Sequence, residues 1–274
     1  MTTIDTRELA LEMMAARTAG KAVESRPSSR DSEFDLPAAY KVETELAELR
    51  RAEGHKTTGR KIGFTNRAVW PKLDLDTIVW GYVFDDTVHF ASGNHFILPI
   101  GNLVAPRIEP EIMFKLKSDI DLETASDPVK VLEAVEWMAL GFEIVDCPYP
   151  NWRYRPADMV AAFAFHGALV IGDPHPLKNL PQLAEQFANF KLKLLKNGET
   201  AAEGGGKNVY DSPALCLGQL ARTIAAQSGV DPLAAGEIIS SGTLTDAQPV
   251  AVGEEWAAIT EGLNVPSISI KFVS

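Results

Sequence analysis

Glu109-Pro110-Glu111 sets two carboxylates two positions apart in a segment that is otherwise apolar, through Ile108, Ile112, Met113 and Phe114. On a β-strand, residues i and i+2 point to the same face, so both acids are aimed at one place. Like charges in such surroundings are costly unless something positive lies between them. A divalent cation bound by oxygens would meet that need, and a solvent-facing acidic pair is the plainer alternative. The intervening proline has no N–H for a ladder, which predicts an edge or a rim for this strand.

Glu143 strengthens the metal reading. It interrupts the apolar run Met138-Ala139-Leu140-Gly141-Phe142 and Ile144-Val145, the pattern of a strand buried on both faces. A lone carboxylate there needs a partner, either a cation such as Lys61 or Arg107 or an ion shared with Glu109 and Glu111. Oxygen donors favour Mg²⁺ or Mn²⁺ with positions open for water and substrate. Zinc is not expected, because no His or Cys cluster accompanies the acids.

Lys61 sits in Gly59-Arg60-Lys61-Ile62-Gly63-Phe64-Thr65. Flanking glycines permit close backbone approach, and a desolvated lysine has a lowered pKa suited to moving protons. A snorkelling surface lysine, or a partner for Glu143, fits the spacing as well. Ser240-Ser241-Gly242-Thr243-Leu244-Thr245 ends a strand in small hydroxylated residues that suit a carboxylate, or a plain turn. Among five histidines without ligand spacing, His166, beside Gly167 at a strand start, is the candidate for a site role. Trp70, Trp80, Trp152 and Phe165 are candidates for pocket walls, although Trp152 is better suited to packing a loop. Gly204-Gly205-Gly206-Lys207 lacks the spacing of a phosphate loop and reads as a turn.

These residues must be carried by a mixed set of elements. Apolar spacing predicts helices over residues 4–24 and 35–54, separated by a polar loop. Short apolar runs with turn signals predict strands at 61–64, 80–84, 95–98, 107–114, 139–145 and 166–172. A helix is expected near 128–138. Asn197-Gly198 predicts a hairpin within 190–205, followed by a helix from Ser212-Pro213 to about 228. The last strands are 237–240, 256–259 and 267–273. Helices first and strands after give an α+β chain: an N-terminal helical region (1–58) and a core (59–274) built on a large mixed sheet or barrel.

A chain of 274 residues with 46% hydrophobic and 23% charged residues has the composition of a packed globular protein. Net charge is −11, without clustered Lys and Arg, which argues against nucleic acid. No apolar run is long enough for a membrane span and no secretory signal is visible, so the expected location is the cytoplasm. Cys147 and Cys216 are expected to be buried, reduced thiols.

On four ordered motifs the chain resembles the 2-oxopent-4-enoate hydratase and 4-oxalocrotonate decarboxylase family, of the fumarylacetoacetase-like superfamily. They are the Lys61 motif, Pro106-Arg107-Ile108-Glu109-Pro110-Glu111, Gly141-Phe142-Glu143-Ile144-Val145-Asp146 and Gly236-Glu237-Ile238-Ile239-Ser240-Ser241-Gly242-Thr243-Leu244-Thr245. The resemblance runs from about Tyr40 onward. It implies a helical N-terminal part, a mixed β-barrel-like core, and Mg²⁺ or Mn²⁺ on Glu109, Glu111 and Glu143. It also implies Lys61 as the proton-transfer group, with Ser241 and Thr243 helping to hold the substrate; Thr65, in the Lys61 motif, and His166 are further expected substrate contacts. The implied activity is hydration of a 2-hydroxy-2,4-dienoate to a 4-hydroxy-2-oxo acid, in aromatic-compound catabolism. Alternatives are a 4-oxalocrotonate-type decarboxylase, a C–C hydrolase using a His/Glu pair drawn from Glu43, Glu45 and His55, or a non-catalytic partner subunit. A homo-oligomer is expected, alone or with a paralogous hydratase or decarboxylase. Two stretches depart from the family: Ile78-Val79-Trp80-Gly81 lacks the acid usual at position 79, and Cys147-Pro148-Tyr149 follows Asp146 in place of Ser-Arg.

Overall fold

The computed structural model describes residues 2–274. Helices α1 (Thr6–Ala19), α2 (Pro27–Arg30) and α3 (Leu36–Ala52) come first. The Asp5 carboxylate caps α1 by accepting from the N–H groups of Arg7 and Glu8, and Gly20, at φ 58°, closes it in the left-handed region. The loop expected between the long helices thus contains one short helical turn.

The remaining helices are α4 (Trp70–Leu73), α5 (Pro128–Glu133), α6 (Pro156–Val160), α7 (Leu180–Asn189) and α8 (Pro213–Ala225). The strands are β1 (Thr57–Gly63), β2 (Val79–Phe84), β3 (Val88–Phe90), β4 (His95–Pro99), β5 (Pro106–Leu116), β6 (Val135–Asp146) and β7 (His166–Ile171). After these come β8 (His175–Pro176), β9 (Lys191–Lys196), β10 (Glu199–Gly205), β11 (Ile238–Ser240), β12 (Gln248–Pro249), β13 (Glu255–Glu261) and β14 (Ile268–Val273).

The strands form two mixed sheets. One runs β2-β1-β11-β5-β6-β7-β3, with β12 added to β5 and β8 to β6; the other runs β10-β9-β13-β14-β4. Parallel pairs (β1 with β11, β3 with β7, β4 with β14) sit among antiparallel ones. The expected hairpin is β9–β10, with both Asn197 and Gly198 at positive φ.

Register sets the site. Glu143 pairs with Glu109 and Leu169, Met113 with Ala139 and Ser240, and Lys61 with Ser240 and Gly81. Paired residues share a face, so all of these point to one side of the larger sheet. Part of that face is an apolar cluster of Val83, Met113, Ala139, Leu169, Ile171 and Ile238. The rest carries Lys61, Glu109, Glu111 and Glu143. The opposite face turns Ile62, Ile108, Phe114, Phe142 and Val170 into the main core. That core is continuous with Leu9, Val42 and Leu46 of the N-terminal helices. Each such fully buried side chain contributes roughly 1.5–3 kcal/mol.

Three expectations change. The helix near 128–138 ends at Glu133, because Val135 and Trp137 already pair with Leu116 and Lys115. Helix α7 went unforeseen, although its buried Leu183, Ala184 and Phe187 have helical spacing. Strand β5 is central and not an edge: β6 flanks one side, β11 and β12 the other. Pro110 is tolerated because it falls between the residues paired with β12 (Arg107, Ile108) and β11 (Met113 to Lys115). Across that gap the Leu244 N–H donates to the Pro110 carbonyl at 2.9 Å, and no N–H is asked of the proline.

Candidate active site

Glu109 and Glu143 face each other across the β5–β6 ladder, and Glu111 lies two residues along on the same side. One carboxylate oxygen from each lies within 4.8 Å of the others. Glu111 and Glu143 are completely buried, and Glu109 is partly exposed. His55, Asp85 and Asp86 form a second such group, but at the surface.

The buried acids are held asymmetrically. Glu111 Oε2 accepts from the Ser240 hydroxyl and, at 2.7 Å, from the Gly242 N–H. Its Oε1 is buried without a hydrogen-bond partner. Glu143 Oε1 meets His166 Nδ1 at 2.9 Å, and Oε2 lies 3.1 Å from the Lys61 ammonium. The far side of the imidazole meets Thr87 Oγ1 at 2.9 Å. Arg17 donates to the carbonyls of His166 and Gly167, which fixes the start of β7.

Burial pushes the Glu109 carboxyl up to about 7; the Lys61 charge opposes this and Glu143 adds to it. Glu111 is raised further, by burial and then by Glu143 and Glu109. Burial alone would lower the Lys61 pKa, but the three carboxylates outweigh it and hold the amine protonated. Burial lowers the pKa of His166. Too much negative charge is therefore packed at one point, and one buried oxygen lacks a donor. A hard divalent cation fits these residues.

Lys61 also donates to the Ala164 carbonyl at 3.1 Å. Phe163, Ala164 and Phe165 have φ of 57°, 47° and 58°, a left-handed run outside glycine that costs on the order of 1 kcal/mol or more per residue. Gly81 makes room for this turn: a Cβ there would lie 2.5 Å from that of Ala164.

Above the acids opens a cavity of about 210 Å³. Its lining includes apolar and aromatic residues (Val145, Trp152, Tyr154, Met159 and Phe165) and polar ones (Thr65, Asn66, Asn208, Thr243 and Asp246). Lys61 and Glu109 also border it. Gly242, at φ 101°, packs so closely on Thr65 that a Cβ would come within 2.4 Å of its methyl carbon.

Of the residues singled out by sequence, Lys61, Glu109, Glu111, Glu143 and His166 come together, and Thr65 and Thr243 line the cavity. His166 does not reach the cavity wall; it stands behind Glu143. The Ser241 hydroxyl is buried without a partner, away from that wall. Trp152 and Phe165 line the cavity, but Trp80 stacks on Tyr40 at 5.2 Å and Trp70 packs near Tyr210 at 6.1 Å. Sequence reasoning did not single out Asn66, Tyr154, Met159, Asn208 or Asp246, because segments far apart in the chain bring them together. Glu43, Glu45 and His55 form no pair: Glu43 accepts from the Tyr82 N–H, Glu45 from Arg7, and His55 lies against Asp85 and Asp86. Cys147 and Cys216 are free and buried, as expected. Among the described residues, no helix is long and apolar enough to cross a membrane.

The family description "Fumarylacetoacetate (FAA) hydrolase C-terminal" matches residues 71–264. The chain belongs to this family. It is 33% identical to 2-hydroxyhexa-2,4-dienoate hydratase of Comamonas testosteroni over 93% of this chain and 92% of that protein. It is 30% identical to 2-keto-4-pentenoate hydratase of Paraburkholderia xenovorans (strain LB400), over 100% and 97% respectively. A structure of 4-oxalocrotonate decarboxylase from Pseudomonas putida G7, complexed with magnesium and adipate, superposes with a TM-score of 0.88. At 23% identity, over 100% of this chain and 99% of that one, it shows a shared α+β fold with mixed sheets.

Proposed function

We propose that the protein is a divalent-metal-dependent hydratase that converts a 2-hydroxy-2,4-dienoate to a 4-hydroxy-2-oxo acid in aromatic-compound catabolism. The observation that carries this reading is the buried triad of Glu109, Glu111 and Glu143 beside Lys61, at the foot of a cavity able to take a small acid. The relatives named as hydratases over nearly full length support it.

Glu109, Glu111 and Glu143 would hold Mg²⁺ or Mn²⁺, with Ser240 and the Gly242 N–H fixing Glu111 and His166 fixing Glu143. When bound, the cation supplies Lewis-acid stabilisation of charge on the substrate's 2-oxygen and offsets the carboxylate field at Lys61. The substrate's carboxylate rests against Thr65 and Thr243, with Ser241 supporting the turn beneath. Loss of the enol proton and protonation at C5 give the 2-oxo-3-enoate; water then adds its hydroxyl to C4 and a proton to C3. Lys61 is the group placed to carry these protons, held by the Ala164 carbonyl and Glu143. Position 79 carries no acid; Lys61 is the buried proton carrier on the cavity wall, with Asp246 at its exposed rim.

The finer organisation belongs to the same proposal. Residues 1–58 serve as a helical support for a barrel-like catalytic core over 59–274, and the enzyme works in the cytoplasm as a homo-oligomer, alone or with a paralogous decarboxylase or hydratase.

The test follows the ultraviolet absorbance of 2-hydroxypenta-2,4-dienoate with Mg²⁺ or Mn²⁺, then with EDTA, and identifies the product. Metal-dependent loss with 4-hydroxy-2-oxopentanoate formed is the expected result. No loss with either metal would overturn the hydratase reading in favour of a decarboxylase, a hydrolase or a silent subunit.

A further inference from the structure

We infer that Asp246 is the base of the hydration step, taking the proton of the water whose oxygen bonds to C4. This rests on the hydratase reading. Conjugate addition of water to a 2-oxo-3-enoate needs an acceptor for the water's proton and a donor to C3, and one group cannot be both at once. Lys61 suits the donor: its ammonium lies 3.1 Å from Glu143 and donates to the Ala164 carbonyl at 3.1 Å. The titratable side chains bordering the cavity are Lys61, Glu109, Tyr154 and Asp246. Glu109 is assigned to the cation. Burial pushes the Tyr154 phenol up to about 12, so it keeps its proton. Arg107, stacked on the Trp152 ring at 4.0 Å, is a permanent cation with donors only. Asp246 is the acceptor that is left.

The backbone of Asp246 is pinned while its carboxylate is free. The Leu244 N–H donates to the Pro110 carbonyl at 2.9 Å, and Gln248 pairs with Ile108, so the segment between them runs level with Glu109. Asn208 Nδ2 ties the Leu244 carbonyl at 2.9 Å. The Asp246 carbonyl accepts from Thr245 Oγ1 at 3.2 Å and from Gln248 Nε2 at 3.1 Å. Among the described residues, no hydrogen bond or ion pair engages the Asp246 carboxylate. It stands at the exposed rim of the cavity, where solvent can deliver the water and carry the proton away.

The step balances. Water gives one proton to the Asp246 carboxylate as its oxygen bonds to C4, and the C3=C4 electron pair moves to C2=C3 while the 2-oxygen takes the charge. The Lys61 ammonium then protonates C3 and the C2 carbonyl re-forms. Asp246 releases its proton to solvent, and Lys61 regains one as the product leaves. The preceding ketonisation uses no water, so the two halves of the reaction should depend on Asp246 differently.

The experiment follows 2-hydroxypenta-2,4-dienoate with Mg²⁺ in D₂O by NMR, reading deuterium entering C5 and formation of 4-hydroxy-2-oxopentanoate separately. Asp246→Asn is expected to keep deuteration at C5 within about twofold while product formation falls about 10²-fold and 2-oxopent-3-enoate accumulates. Asp246→Glu, which keeps the carboxylate, is expected to recover part of the hydration rate. Product formation by Asp246→Asn near the wild-type rate would overturn the inference. So would an equal loss of both events, the mark of a purely structural role. Failure of the wild-type protein to form the product would overturn the hydratase reading itself.

Discussion

Replacing Glu111 by Gln should make the metal-free protein more stable while removing its response to metal. The three carboxylates lie within 4.8 Å of one another. At that separation and an effective dielectric constant of about 20, each ionised pair repels by roughly 3 kcal/mol. Partial protonation relieves much of this, and Lys61 compensates part, so the net gain expected from removing one charge is about 1–3 kcal/mol. Glutamine is isosteric, and its amide oxygen keeps the bonds from Ser240 and the Gly242 N–H. For a chain of this size that gain raises the melting temperature by a few degrees, at about 2–4 °C per kcal/mol. Mg²⁺ at a hundred times its dissociation constant should stabilise the wild type by about 2.7 kcal/mol, or about 5–10 °C. The assay is thermal unfolding of both proteins across a Mg²⁺ titration. A variant that keeps the wild-type metal shift would refute the ligand assignment. One that melts well below wild type without metal would refute the electrostatic argument.

Lys61→Met should lower kcat by about 10²–10⁴ in the dienol assay while Mg²⁺ affinity is kept or rises, because the ammonium no longer competes for Glu143. Gly81→Ala drives a methyl into Ala164, at 2.5 Å; a cost of about 1–3 kcal/mol in urea unfolding and a fall in kcat are expected, as the Lys61 acceptor shifts. Glu43 seals the free edge of β2 together with Tyr40, whose hydroxyl takes the Trp80 N–H, and burial raises its carboxyl to about 8 against opposing Arg60, Arg17 and Lys61. The folded state then keeps a proton that the unfolded chain releases, so this contribution is present below pH 4.5 and is lost as pH rises through 8, by up to about 5 kcal/mol. Glu43→Gln should flatten that part of the stability–pH curve, measured by urea unfolding from pH 5 to 9; an unchanged difference between acid and alkaline pH would contradict it.

The acid triad was legible because its signals are local. Two glutamates at i and i+2, and a third inside an apolar strand, state their cost in the sequence itself. Asn197-Gly198 likewise announces its hairpin through backbone chemistry. Pairing between distant segments was not legible. β11 enters between β1 and β5, and that placement puts Ser240, not Ser241, against Glu111. With a side-chain period of two, a shift of one residue exchanges the faces. The same remoteness misled the reading of Pro110, whose gap is made by residues 241–247, and of Trp70 and Trp80, which pack on Tyr210 and Tyr40. His166 was noticed for its place beside a glycine; its contact with Glu143 depends on the β6–β7 register.

The most direct test of the central claim measures metal binding and turnover on the same samples. Calorimetric titration of the EDTA-treated protein with Mn²⁺, with dienol consumption assayed at each point, should show one ion per chain and a rate that rises in step with occupancy. Glu109→Gln and Glu143→Gln should lose both together. Full turnover by metal-free protein, or by either variant without bound metal, would contradict the account.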